Sequence, residues 1–107
     1  MAARRVTGAI GGRIVDEVSA WEGVTVHPHR FGGVELRVGR RELGHLHGDR
    51  LADLPFPVRV RERLVAEGRA ERHHVLPESG WVSVPIRGEA DVTRVIELFR
   101  LNYDRRF

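Results

Sequence analysis

Hydrophobic positions in the N-terminal stretch recur every three or four residues. Val6, Ile10, Ile14, Val18 and Trp21 share one stripe of a helix over about residues 6 to 21. Gly8, Gly11 and Gly12 weaken its first half by about 1 kcal/mol each relative to alanine. The helix is therefore firm only from about Gly12 to Ala20, and Glu22-Gly23 ends it. The period then changes to alternation. Val24-Thr25-Val26-His27 reads as a strand, and Val34, Leu36 and Val38 alternate with Glu35 and Arg37 in a second strand with one apolar face. Gly39-Arg40 sits where a tight hairpin turn is expected, and a third strand runs from about Glu42 to His47. In that register Leu36 faces Leu43 and Val34 faces His45, which puts His45 and His47 on the core face. A slip of one residue would turn both to the other side.

Gly48 to Pro57 reads as a proline-punctuated crossover without secondary structure. Pro57 suits the first turn of a helix through about Glu67, with Val60, Leu64 and Val65 inward and Gly68 as the stop. Ala70 to Leu76 and Trp81 to Ile86 read as a hairpin closed by Pro77-Glu78-Ser79-Gly80. Its register sets His73 opposite Val84, His74 opposite Ser83 and Leu76 opposite Trp81. A final helix over about Ala90 to Tyr103 turns Val92, Val95, Ile96 and Phe99 inward. The order α-β-β-β-α-β-β-α predicts a two-layer α+β fold, an antiparallel sheet of about five strands with three helices mainly on one face. A chain of 107 residues is expected to form a single domain over 1-107, the N-terminal helix preceding a core over 22-106.

The composition narrows the functional classes. Cysteine is absent, which removes disulfides, thiolate nucleophiles and cysteine-ligated metals. Met1-Ala2-Ala3-Arg4-Arg5 lacks the apolar stretch of a signal peptide, and no apolar run approaches the ~18 residues of a membrane span. A soluble, cytoplasmic protein is expected, with no membrane partner. The net charge is +3 and the isoelectric point near 10.8. The basic residues are arginines interleaved with Glu and Asp, with no run beyond two. Nucleic acid is therefore not expected as the main partner. Arg59, Arg61 and Arg63 spread around their helix, and Arg69, Arg72 and Arg87 lie near strand ends, where an anion site needs some of them to converge.

The chemistry-bearing residues gather around His45-Leu46-His47-Gly48-Asp49. Histidines two apart on a strand share a face. Imidazole and carboxylate are ligands for zinc, nickel or iron. His45, His47 and Asp49 are thus a candidate divalent-metal set, with His74 as a further ligand. The same imidazoles suit acid–base work near neutral pH, which makes His45, His47 and His74 the catalytic candidates. The structural alternative is a hydrogen-bonded core His45, with Asp49 capping the turn. His74 beside Ser83 resembles a nucleophile–base pair but lacks a third group and a glycine-rich elbow; a cross-strand hydrogen bond beneath Trp81 is the reading preferred. His27 and His29 flank Pro28 and read as surface imidazoles.

Phe31-Gly32-Gly33, Val38-Gly39-Arg40-Arg41-Glu42, His45-Leu46-His47-Gly48-Asp49, Leu54-Pro55-Phe56-Pro57, His74, Pro77-Glu78-Ser79-Gly80-Trp81-Val82-Ser83 and Leu101-Asn102-Tyr103 together resemble the luciferase-domain family of short bacterial and fungal proteins. The resemblance covers about residues 20 to 106. Gly80-Trp81-Val82 followed by a C-terminal helix is more loosely similar to the YjbR/MmcQ group of small α+β proteins, which implies DNA binding by analogy of fold. The family name implies a light-emitting oxygenase, yet Gly8-Ala9-Ile10-Gly11-Gly12 lacks the spacing of a nucleotide motif and opens no βαβ unit; light emission is not expected. The expected function is a His-lined pocket that binds a small molecule, with acid–base or metal-dependent activity. Its ligand-binding residues are His45, His47, Asp49, His74, Trp81 and Ser83. The alternatives are a homodimer burying an apolar patch of Leu46, Leu76 and Trp81 on the helix-free face, and weak nucleic-acid binding through arginine.

Overall fold

The computed structural model describes residues 8–29 and 32–105. The elements are α1 (Gly8–Ser19), β1 (Val24–Pro28), β2 (Val34–Val38), β3 (Arg41–His47), β4 (Leu51–Pro55), α2 (Val58–Ala66), β5 (Glu71–Arg72), β6 (Trp81–Pro85) and α3 (Glu89–Asp104). The strands form one antiparallel sheet in the order β1-β2-β3-β4-β6-β5. The α+β class and the three helices agree with the sequence pattern, while the sheet has six strands where about five were expected. Val6, at the start of the apolar stripe, and Phe31 lie outside the described residues. Among those described, no helix is long and apolar enough to cross a membrane.

The helices bury one face of the sheet. Leu36, Leu46, Ala52, Leu54, Val82 and Val84 meet Ile14 and Val18 of α1, Val60 and Leu64 of α2, and Val92, Val95, Leu98 and Phe99 of α3. Burying a Leu, Val or Phe side chain stabilises the fold by about 1.5–3 kcal/mol, so this layer supplies most of the drive to fold. The N-terminal glycines also have a role. The Asp49 carboxylate accepts a hydrogen bond from the Gly11 N–H at 2.7 Å. A Cβ on Gly8 would lie 2.3 Å from an Asp49 oxygen. Residues that weaken α1 by propensity thus let a carboxylate reach its positive end.

Three expectations are corrected. The stretch from Gly48 to Pro57 is not a bare crossover: Ala52 and Leu54 alternate with Asp53, face the core and form β4. Pro55 ends that strand and Pro57 caps α2, so the prolines bound the element without breaking it. The strand expected over Ala70 to Leu76 shrinks to Glu71–Arg72. Beyond it the chain leaves the sheet, with buried Arg61 donating to the carbonyls of Pro77 at 3.0 Å and Ser79 at 2.8 Å. Leu46 lies in the core instead of on an exposed apolar patch, whereas Leu76 is 50% exposed.

The third correction decides where the histidines go. The β2–β3 hairpin begins as expected, with Val38 opposite Arg41 and Arg37 opposite Glu42, but then shifts so that Leu36 faces Gly44, Glu35 faces His45 and Val34 faces Leu46. One extra residue in β3 makes a bulge. Leu43 and Leu46 both reach the core, and His45 and His47 turn to the face that carries no described helix. Two contacts hold the bulge. Fully buried Asn102 donates from Nδ2 to the Leu43 carbonyl at 2.9 Å. Gly44 leaves no room for a side chain, since a Cβ there would sit 2.9 Å from both Leu54 and Phe99.

Gly44→Ala is accordingly expected to destabilise the protein by about 1–3 kcal/mol through overpacking, read as a lower urea midpoint. An unchanged midpoint would show that β3 and α3 can separate at no cost.

Candidate functional site

Cross-strand pairing builds a polar row on the helix-free face. Glu35 faces His45, His45 faces Asp53, Asp53 faces Ser83, and Ser83 faces Glu71. Period-two alternation places all of them opposite the apolar layer. The centre is Asp53, only 1% exposed. One carboxylate oxygen, Oδ1, accepts from the Ser83 hydroxyl at 2.6 Å. The other, Oδ2, has three imidazole Nε2 atoms around it: His47 at 3.0 Å, His45 at 3.3 Å and His73 at 3.5 Å.

Aromatic rings cover this carboxylate in place of a helix. His29 stacks on His45 with centroids 4.0 Å apart, and His47 meets His45 edge-on at 4.9 Å. Trp81 lies 5.3 Å from His45 and 6.1 Å from His73. His74, itself exposed, stacks on His73 at 4.6 Å. Five of the six histidines in the chain are therefore gathered here.

Burial and pairing pull the titrations in opposite directions. Burial raises the Asp53 pKa, but hydrogen bonds from His45, Ser83 and His47 outweigh it and hold the group well below the usual carboxylate range. Burial likewise disfavours the charged form of His45. Its Nε2 faces Asp53 and its Nδ1 lies 2.7 Å from Glu42 Oε2, and the two carboxylates push its pKa up to about 9. His73 moves the other way: burial lowers it, more than Asp53 raises it. Its Nδ1 accepts the backbone N–H groups of Val75 and Leu76, each at 3.1 Å. For Glu35, burial is outweighed by Arg37 at 2.6 Å and His29 at 3.2 Å, so its pKa falls.

Of the residues expected at a site, His45, His47, Ser83 and Trp81 come together. Asp49 does not join them, because it binds the first turn of α1; Asp53 is the carboxylate that meets the histidines. Ser83 is paired with Asp53, not with His74. The expected hairpin register fails by three residues: Glu71, not His74, faces Ser83, Arg72 faces Val82, and β5 ends there. Asp53, Glu42, His73, His29 and Glu35 were not singled out from the sequence. The alternation Ala52-Asp53-Leu54 was a signal for Asp53, and the broken period in Leu43-Gly44-His45-Leu46, where a glycine within a strand marks a bulge, was one for Glu42; His29, read as a surface imidazole, is instead largely covered and lies on Glu35. Among the described residues, two groups have donor atoms close enough to hold a metal ion, His45 with His47 and Asp53, and Asp53 with His73 and His74, the donor atoms of each group lying within 4.8 Å of one another. Away from this face, Arg69, Arg87 and Arg94 line a common cavity, but Arg94 is paired with Asp91 and Arg69 with Glu67.

The chain matches the family model for the luciferase domain over residues 40–102, more than half its length, and it belongs to that family. The matched span includes Glu42, His45, His47, Asp53, His73, Trp81 and Ser83. It leaves out α1, β1 and β2. No curated protein and no solved structure matches the chain.

The raised pKa of His45 gives a stability contribution that is complete below its unfolded value of about 6.5 and is lost as pH rises through about 9. Between those limits the unfolding free energy of the wild type should fall relative to that of His45→Gln. This difference isolates His45 from His73, whose lowered pKa acts in the opposite sense. Parallel pH profiles in urea unfolding would show that His45 is not held as an imidazolium.

Proposed function

We propose that this member of the luciferase-domain family binds a small molecule on the helix-free face of its sheet, at a divalent-metal centre built from His45, His47 and Asp53. The observation that carries the reading is the convergence of two imidazole Nε2 atoms on one buried carboxylate oxygen, at 3.0 and 3.3 Å. Nitrogen and oxygen donors of this kind suit zinc, nickel or iron(II). Three protein ligands leave coordination positions for water or a ligand, which is the arrangement of reactive metal sites and not of closed structural ones. His29, stacked on His45, and Trp81, tilted against it, would supply walls beside those positions.

A second reading uses the same groups without a metal. His45, held between Glu42 and Asp53 with a pKa of about 9, keeps its proton at neutral pH, and its Nε2–H, in the longer of its two carboxylate contacts, is the one a bound ligand would share with Asp53. The two readings share residues and differ in what occupies the space between the Nε2 atoms.

Untagged protein equilibrated with zinc, nickel or iron(II) and freed of excess is expected to retain about one ion per chain by mass spectrometry. His45→Ala with His47→Ala should retain none while keeping the far-ultraviolet circular dichroism of the wild type. A wild type that retains no metal above the level of the double variant would overturn the metal centre and leave the proton-transfer reading.

A further inference from the structure

Building on that metal-centre reading, we propose that Glu42 and His73 complete the site without being ligands. Glu42 aims His45 at the metal. His73 presents an Nε2–H to a small oxygen-donor anion, such as a carboxylate, bound on the open side of the metal.

A neutral imidazole has one N–H and one lone pair, so whatever lies at one nitrogen fixes what the other can do. At His45, Nδ1 is 2.7 Å from Glu42 Oε2. A carboxylate only accepts, so when a metal displaces the proton from Nε2, the nitrogen that faces Asp53 Oδ2, the proton that remains belongs on Nδ1, toward Glu42. An outer carboxylate of this type orients a ligating histidine and raises its basicity. The contact depends on the bulge: residues three apart on a regular strand point to opposite faces, and only the extra residue brings Glu42 to the side of His45.

His73 has the opposite arrangement. Its Nδ1 accepts two backbone N–H groups, so its proton is on Nε2 and no lone pair is available there. This removes His73, and with it the group of Asp53, His73 and His74, as a ligand set of the observed geometry. What remains is an N–H donor 3.5 Å from Asp53 Oδ2, on the oxygen that His45 and His47 share. The loop that carries it is fixed at its far end by Arg61 on the Pro77 and Ser79 carbonyls. A metal cation and an N–H donor side by side both call for an electron-rich oxygen, and a carboxylate supplies one to each.

Cobalt(II) and acetate test both assignments, because the visible absorption of bound cobalt reports ligand and metal separately. The wild type is expected to bind cobalt, and acetate to change the spectrum saturably. Glu42→Gln should weaken cobalt binding by about 10- to 100-fold. His73→Ala should leave cobalt affinity unchanged and weaken acetate binding by about tenfold, with His73→Gln, which restores a neutral donor, recovering part of the loss. Circular dichroism confirms that each variant is folded. Failure of the wild type to bind cobalt overturns the metal centre and this inference together. Cobalt binding that is indifferent to Glu42→Gln overturns the role of Glu42 alone. Loss of cobalt in His73→Ala makes His73 a ligand, and unchanged acetate binding removes its contact with the anion; either result overturns its role as donor.

Discussion

One extra residue in β3 decides which side of the sheet every group occupies. A regular strand alternates sides, and the parity of β3 is reversed partway along by the bulge after Glu42. Before it, Glu42 faces away from the helices. After it, Leu46 faces toward them, and His45 and His47 face away. The same displacement serves two incompatible demands. Leu43 and Leu46 both need the apolar layer, and three polar residues interleaved with them need the other face. The bulge carbonyl of Leu43 is met by the buried amide of Asn102 on α3, so the core itself pins the parity of the polar face.

The polar face then holds together by mutual compensation of charge. A carboxylate as buried as Asp53 is costly unless donors surround it. Four groups do so, the Ser83 hydroxyl on one oxygen and three imidazoles on the other. Two of them in turn are held from behind, His45 by Glu42 and His73 by its own loop backbone, and His29, stacked on His45, is held by Glu35, which also binds Arg37. The result is a preorganised set of nitrogen and oxygen atoms whose orientations are settled by neighbours. Removing Ser83 would leave Asp53 Oδ1 without its donor, and removing Glu42 would leave the His45 ring without its outer partner.

The helices, β1, β2 and the hairpin turn at Gly39-Arg40 were legible in the sequence, because each carries its own periodicity or turn signal. The pairing of His45 with His47 was legible too, since residues two apart share a face whichever face that is. Their actual side was not, because a regular hairpin and a bulged one begin with the same residues, and only packing of Leu43 against α3 selects the second. Asp53 was hidden for a different reason. Its strand is short and runs into Pro55 and Pro57, and with β4 read as a crossover there was no neighbour on which to place it. Asp49, adjacent in sequence to the histidines, looked like the better ligand, yet the chain spends that carboxylate on α1. Glu42 and His45 are three apart, a spacing that signals nothing in a regular strand.

The row across the sheet draws its rungs from strands of very different separation in the chain. Short turns join β2 to β3 and β3 to β4, whereas β6 reaches β4 only after the chain has passed through α2 and β5. Closing the short loops costs little entropy and closing the long one costs more. Asp53 therefore meets His45 and His47 within a local meander that leaves one edge open to water, and His73 comes only with the later segment that also brings Ser83. The carboxylate becomes sealed only when Ser83 arrives on β6 with a hydroxyl to offer. The charge is buried at the step that delivers its last partner, so the folding chain need not carry an unpaired carboxylate through a dry intermediate.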